Sequence, residues 1–148
     1  DLHPRVRRQR QMCIRDSTDE VERLFSEYMK KTISVRDTFA RKELKENFYH
    51  GLLLGILGFK AGWSVMSNRE SGNGFSDIMI MIDDAEIGIV IEVKYAESHD
   101  LEAICKDALK QMIDKRYTEY FEQQGIKKIL KYGIACRVKE CKVMLEEN

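Results

Sequence analysis

The sequence predicts an α/β fold in which a central mixed sheet is covered by helices on both faces. Segments 76–83 and 86–95 are rich in isoleucine, and the side chains that alternate along them form two mostly apolar faces. Segments 36–59 and 101–117 carry apolar residues at helical spacing and lie before and after this pair. Because both faces of such a strand pair must be covered, helices are expected on each side of the sheet.

Shorter elements complete the predicted order of helix, three strands, helix, strand, strand. They are a helix that begins at the N-cap Thr18, a strand at 63–67, a broken continuation of the second main helix to Gln123, and strands at 129–138 and 142–145. In the helix at 36–59, one buried stripe is expected from Leu44, Phe48, Leu52, Gly55, Ile56 and Phe59. Gly51 and Gly55 would allow a neighbouring element to pack closely there.

Composition limits the class of protein and the chemistry open to it. At 148 residues the chain has room for one core, and 25 basic residues balance 25 acidic ones, so the total charge does not indicate a polyanion partner. The longest apolar run, 52–59, is too short to cross a membrane and no secretory leader is recognised, so a cytoplasmic location is expected. Because the four cysteines form no C-x-x-C pair and the three histidines are dispersed, hydrolytic chemistry would have to use carboxylates.

Two stretches have a biased composition. Residues 1–17 contain five arginines and no amphipathic period, and residues 12–16 resemble a translated transposon end from sequencing-library preparation. We therefore expect an unstructured or artefactual leader there. Segment 106–142 carries ten basic and five acidic residues, which is compatible with contact to a phosphate backbone. An ordinary solvated helix face explains this excess equally well.

The isoleucine-rich hairpin places three charged residues on one face. If residues 84 and 85 form the turn, opposed positions sum to 169, which sets Asp77 across from Glu92, with Lys94 on the same face. Opposed carboxylates destabilise a sheet unless a cation lies between them, and Mg²⁺ prefers oxygen ligands. The register therefore predicts a metal-dependent hydrolytic centre. Glu-x-Lys alone is common by chance, and an ordinary hairpin with charges at a solvated sheet end is the competing interpretation.

The arrangement of Asp77, a hairpin and then Glu92-Val93-Lys94 resembles the signature of the PD-(D/E)xK nuclease superfamily. That resemblance implies a restriction-endonuclease-like core of order αβββαβ. In particular, the chain is similar to the nuclease-like domain at the C-terminus of many bacterial proteins that begin with an ATPase-like (AAA-type) domain. The matching stretches are residues 46–55 on the first core helix, residues 68–74 before the second strand, and Gln111 followed by Tyr117.

The resemblance implies a role for each matched residue. Asp77 and Glu92 become the main metal ligands, and Lys94 orients or activates the attacking water. Glu46 is implied as a further metal ligand and Gln111 as a supporting catalytic residue on the following helix. The expected cation is Mg²⁺, with Mn²⁺ as an alternative. Substrate contacts are expected from Glu70, Asn73, Tyr117 and His50.

The residues themselves leave other interpretations open. Glu46 shares a helical face with His50, Leu53 and Leu57, yet a helix-capping or salt-bridged acid is an equally good reading of it. Without the resemblance, Gln111 would be a surface glutamine and His50 a core histidine bonded to the backbone. Glu70 is either an acid of a phosphate-binding loop or a turn residue.

Two departures from the family pattern matter. The family commonly places a basic residue in the glycine-rich stretch or just before the aspartate, where this chain has Asn73 and Phe75-Ser76. The resemblance therefore implies no contact between phosphate and a basic side chain of this loop. The ATPase-like portion is missing as well, so we expect a helical linker from a missing upstream domain at 18–42 and a nuclease-like domain at 43–148.

The predicted function is metal-dependent phosphodiester hydrolysis of nucleic acid, with DNA as the expected substrate. The first alternative is a non-catalytic module of the same fold that binds nucleic acid or regulates an ATPase-like partner. A third reading is an unrelated α/β domain with a chance motif. The expected partners are nucleic acid and an ATPase-like domain or subunit, no membrane is expected, and homodimer formation stays open.

Overall fold

The elements follow the predicted order. A computed structural model describes residues 4–69, 76–113 and 117–147, with the backbone alone at 4–17 and at a few other positions that include Asp77. The helices are α1 (Pro4–Thr32), α2 (Lys42–Gly58), α3 (Leu101–Ile113) and α4 (Tyr117–Gln123). The strands are β1 (Trp63–Arg69), β2 (Ser76–Ile82), β3 (Ile87–Tyr95), β4 (Lys128–Arg137) and β5 (Glu140–Glu147). Among the described residues, no helix combines the length and apolar character that crossing a bilayer requires.

The five strands form one sheet in the order β1-β2-β3-β4-β5. Neighbours run antiparallel except β3 and β4, which run parallel and have α3 and α4 between them in the chain. A parallel pair needs a crossover of this length, because a tight turn can only reverse the chain direction. The predicted mixed α/β sheet is confirmed.

Strands β2 and β3 pair in the predicted register. Their paired positions run from Ile78 with Ile91 to Ile82 with Ile87, and each pair sums to 169. A short 3-10 helix at Asp83–Ala85 connects the strands. Alternating isoleucines fix this register, because a slip of one residue would turn every side chain to the opposite face of the sheet.

Helices cover both faces of the sheet, as predicted. On the first face, α1 and α2 pack against the strands in a core that includes Phe25, Met29, Tyr49, Leu53, Ile80, Ile91 and Ile134. On the second face, α3 and α4 pack against the strands through Met79, Val90, Leu109, Met112, Phe121 and Ile129. The names first face and second face refer to these two cores below.

Helix α1 begins earlier than predicted. The sequence indicated an N-cap at Thr18 and an unstructured or artefactual leader at 1–17, whereas the backbone is helical from Pro4 and Thr18 lies buried within the helix. That residues 1–17 are an artefact stays a prediction. Proline suits the first helical position because an N–H there would have no intrahelical acceptor. Extending a helix backwards also costs less than nucleating one, so local sequence pattern is a poor guide to where it starts.

The segment predicted as a linker, 18–42, packs against the sheet. Phe25 and Met29 of α1 lie in the first-face core. The backbone N–H of Val143, on the edge strand β5, donates to Glu22 Oε2 of α1 at 2.9 Å. This bond occupies a donor that an edge strand would otherwise expose. The domain boundary at residue 43 stays a prediction.

Helix α2 begins at Lys42 and not at residue 36. A 3-10 turn at Val35–Thr38 precedes it. Ser34 Oγ accepts a hydrogen bond from Arg36 N–H at 3.3 Å, and the Asp37 carboxylate accepts one from Ser34 N–H at 2.7 Å. This reciprocal capping box starts a separate short helix, which is why the longer helix begins later.

The face that α2 buries agrees with the prediction only in part, because Phe48 and Leu52 are half-buried against the first-face core while other members of the predicted stripe are exposed. Leu44 is 57% exposed and Phe59 is 92% exposed, and there is open space where a Cβ on Gly51 or Gly55 would lie. The buried residues of α2 are Glu46, Tyr49, His50 and Leu53. Apolar residues occur on two stripes of this helix, and helical spacing alone does not decide which stripe meets the sheet.

Candidate active site

The surroundings of strand β3 change at Glu92. From Ile87 to Ile91 the strand pairs with β2 on one side and β4 on the other. From Glu92 to Tyr95 the described ladder continues with β4 only. The β3 residues predicted to carry the chemistry therefore lie beyond the last described pair between β3 and β2. We call residues 92–95 the open end of β3.

Asp77 lies on β2 beside this open end. Its backbone pairs with Asn68 of β1, and it directly precedes Ile78, which pairs with Ile91. One further step in the same register sets Asp77 across from Glu92, as the sequence predicts. The Asp77 side chain lies outside the described residues, so its part in a metal site stays a prediction.

Glu92 has the lowest exposure of the described charged side chains, at 1%. Its partner on β4 is Gly133, where a Cβ would lie 2.6 Å from the backbone oxygen of Cys105 in α3. Because Gly133 has no side chain, α3 can approach the second face directly beside Glu92. Burial of a carboxylate is costly unless polar groups or a cation compensate it, so an acid in this position is typical of a functional site.

The second face also receives Lys94 and Gln111. Lys94 is half-buried and follows Glu92 by two residues, so strand alternation directs it to the same face. Gln111 lies on α3 next to Met112, which packs in the same core as Val90. The Gln111 Oε1 atom is buried and accepts no hydrogen bond in the structure, so Gln111 is not a simple surface glutamine. A buried acceptor in this state costs about 1–3 kcal/mol and is available to a ligand.

Glu46 reaches the open end of β3 from α2. It is 8% exposed, and its Oε1 accepts a hydrogen bond from the backbone N–H of Tyr95 at 3.3 Å. The next N–H along the strand, that of Ala96, donates to Cys136 on β4, so the Tyr95 N–H points to the side where β2 lies. The described residues of β2 start at Ser76, and their described pairs with β3 end at Ile78 with Ile91. The Glu46 carboxylate occupies the place that a paired strand would otherwise take.

His50 lies one helical turn after Glu46 and is buried. Its Nε2 lies 3.0 Å from the Ser67 Oγ on β1. The partner of this ring nitrogen is therefore a serine side chain. This contact ties α2 to β1, and the predicted role of His50 in substrate binding stays a prediction.

Three further candidates lie wholly or partly outside the description. Glu70 and Asn73 fall outside the described residues, and so does the side chain of Tyr117, whose backbone begins α4. Their predicted contacts with substrate stay predictions.

Sequence reasoning missed Lys45 and Tyr95. The Lys45 Nζ lies 4.5 Å from the centre of the Tyr95 ring and 3.5 Å from the Tyr95 hydroxyl. The only signal in the sequence for these two residues was their position, since Lys45 directly precedes Glu46 and Tyr95 directly follows Lys94. Their proximity depends on how α2 crosses β3, and no local pattern reports that.

The basic segment 106–142 is divided among α3, α4, β4 and β5. Lys106 forms an exposed ion pair with Glu102 at 2.9 Å. Arg137 donates to the backbone oxygens of Ala96 and Glu97 at 3.3 and 2.6 Å, which holds the loop that follows β3. Part of the excess positive charge thus stabilises local structure. This favours ordinary surface charge over contact with a phosphate backbone as the explanation of the excess.

The described side chains offer oxygen donors of the kind that a divalent cation prefers. The carboxylates of Glu46 and Glu92 approach the open end of β3, one from α2 and one from the strand itself. In the described part of the chain, no group of three or more His, Cys, Asp and Glu side chains is arranged to hold a metal ion. The donor chemistry fits Mg²⁺ or Mn²⁺, and a full ligand set would need Asp77.

Comparison with known families agrees with this geometry. The model of the PD-(D/E)XK nuclease superfamily matches residues 44–146, which is more than half of the chain and includes β1 to β5. Searches among curated proteins and among solved structures found no match. The mixed five-stranded sheet with flanking helices is consistent with the restriction-endonuclease-like fold of that family. The chain therefore belongs to the PD-(D/E)XK nuclease superfamily.

Proposed function

We propose that the chain is a metal-dependent nuclease that hydrolyses phosphodiester bonds, with DNA as its substrate. The observation that carries this proposal is that the Glu46 carboxylate accepts from the backbone N–H of Tyr95, directly after the Glu92-x-Lys94 segment of β3. The family match spans all three residues. Nucleases of this family generally use divalent metals, and Mg²⁺ is the ion that we propose here, with Mn²⁺ as a substitute.

Each residue has a role that follows from its position. Glu92, buried beside α3, and Asp77, across from it in the register, would hold the cation, with Glu46 as a third oxygen donor. When bound, a divalent cation lowers the pKa of water and offsets charge on the phosphate. Lys94 orients the attacking water or stabilises the negative charge that develops on the phosphate. Gln111 offers its buried Oε1 as a supporting acceptor.

The first test is cleavage of plasmid DNA with Mg²⁺. We expect Lys94→Ala to fold, with the circular dichroism spectrum of the wild type, and to lose about 10²-fold or more of the cleavage rate, as is usual when a positioned catalytic group is removed. Lys110→Ala is the matched control, because Lys110 is an exposed lysine on α3. Equal cleavage by the wild type and Lys94→Ala would contradict the assigned role of Lys94.

The second test separates an enzyme from a non-catalytic module. The module is favoured by the absence of a basic residue near Asn73. A metal that binds only the folded state stabilises it by about 2.7 kcal/mol at a hundredfold excess over Kd. We expect Mg²⁺ or Mn²⁺ to raise the melting temperature of the wild type and not that of Glu92→Gln. A wild type that neither responds to metal nor cleaves DNA would favour the module, with an ATPase-like domain or subunit as its proposed partner.

A further inference from the structure

Two lysine–aromatic contacts mark the two ends of α2. Near its start, the Lys45 Nζ lies 4.5 Å from the centre of the Tyr95 ring. Just beyond its end, the Lys60 Nζ lies 4.0 Å from the centre of the Trp63 ring. The contacts are of the same kind and of similar length, and the Lys45 contact is the one that lies at the open end of β3.

Tyr95 fixes the position of Lys45. Its ring is 8% exposed and stacks on the Tyr49 ring, with 6.3 Å between the centroids and 12° between the planes. Its backbone N–H donates to Glu46. Tyr95 therefore positions two adjacent residues of α2, the acid Glu46 and the cation Lys45.

The turn between β4 and β5 brings another cation to the same end of the sheet. Arg137 pairs with Glu140, which leaves Val138 and Lys139 as the turn. Val138 has a φ of 52°, and a β-branched residue in this region costs about 1–3 kcal/mol. The Tyr49 hydroxyl donates to Val138 O at 2.7 Å, and burial raises the pKa of Tyr49, so the hydroxyl keeps its proton.

The turn lies at the same edge of the sheet as the open end. Strands β3 and β4 run parallel, and Tyr95 pairs with Cys136, two residues before the turn. Lys139 is half-buried and lies in this turn. Two cations, Lys45 and Lys139, therefore accompany Lys94 at the edge where β3 and β4 end.

We propose that Lys45 contacts a phosphate of the nucleic acid backbone at the open end of β3, with Lys139 as a neighbouring cation and Tyr95 as the positioning residue for Lys45. This inference rests on the proposed function and specifies how substrate is held. Lys45 supplies a positive charge at the site from α2.

The test is the salt dependence of duplex DNA binding, measured by fluorescence anisotropy in EDTA so that no cleavage occurs. Each phosphate contact contributes about 0.9 to the slope of log K against log salt concentration. We expect Lys45→Gln to reduce the slope by about this amount, while Lys60→Gln leaves it unchanged. Lys45→Arg should restore the slope, because it keeps the charge.

The matched pair of variants controls for stability, since each removes one lysine–aromatic contact of similar length. Equal slopes for Lys45→Gln and Lys60→Gln would overturn the proposal, as would a wild type that does not bind duplex DNA. Failure of the nuclease proposal has a different signature. In that case the wild type binds DNA with a slope that depends on Lys45 but does not cleave it when Mg²⁺ is added.

Discussion

The two halves of strand β3 differ in what surrounds them. Residues 87–91 are paired on both sides and contribute aliphatic side chains to both cores. Residues 92–95 are paired with β4 in the described ladder, and on the other side the Glu46 carboxylate accepts from the Tyr95 N–H. The first half thus contributes to stability through burial. The second half holds charged groups that burial alone does not stabilise, which is typical of a functional site.

Truncation in the first half should have the largest effect on stability. Ile89 is 7% exposed in the first-face core, so Ile89→Ala should lower the free energy of unfolding by about 2–5 kcal/mol. Urea denaturation monitored by circular dichroism measures this change. Lys94→Ala, in the second half, is the comparison and should cost less, because a half-buried lysine removes less apolar area from water than a buried isoleucine. Similar losses for both variants would remove the distinction between the halves.

The glycine beside Glu92 tests the boundary between the halves. In Gly133→Ala the new Cβ would lie 2.6 Å from the backbone oxygen of Cys105, so α3 must shift. We expect a loss of about 1–3 kcal/mol in the free energy of unfolding. We also expect slower cleavage by the protein that remains folded, because Glu92 is the strand partner of Gly133.

The matched variant for Gly133→Ala is Gly88→Ala, in the first half. Its Cβ would meet the ring of Phe121 at 2.7 Å, so it also crowds the second face. It should lower stability but leave the cleavage rate per folded molecule at the wild-type value. A fall in that rate equal to the fall for Gly133→Ala would show that any crowding of the second face disturbs the site.

Variants of Glu46 have the smallest expected effect on stability. They separate its structural role, as acceptor of the Tyr95 N–H, from its proposed role as a metal ligand. Glu46→Ala removes the acceptor of the Tyr95 N–H and should cost about 1 kcal/mol. Glu46→Gln keeps an acceptor oxygen and removes the charge, so its stability should stay near the wild-type value while Mg²⁺-dependent cleavage falls. Thermal melts and cleavage assays on the same samples measure both. Full activity in Glu46→Gln would limit Glu46 to a structural role.

The strands of this protein could be predicted because their signals are local. The isoleucines of β2 and β3 alternate on both sides of a short turn, and the register follows once the turn is located. The start of α1 and the face that α2 buries could not be predicted in this way. A capping box at Ser34 divides the chain before α2, and α2 carries two apolar stripes of which the sheet selects one.

The sequence by itself determined the α/β class, the hairpin register and the candidates Asp77, Glu92 and Lys94, since alternation along a strand assigns each side chain to a face. Only the tertiary structure decided that Glu46 bonds to the Tyr95 N–H and that Lys45 lies over the Tyr95 ring. These contacts join residues about 50 positions apart, and their geometry depends on how α2 crosses the open end of β3. The physical reason is that helical spacing specifies a face, whereas packing against the sheet specifies what that face meets.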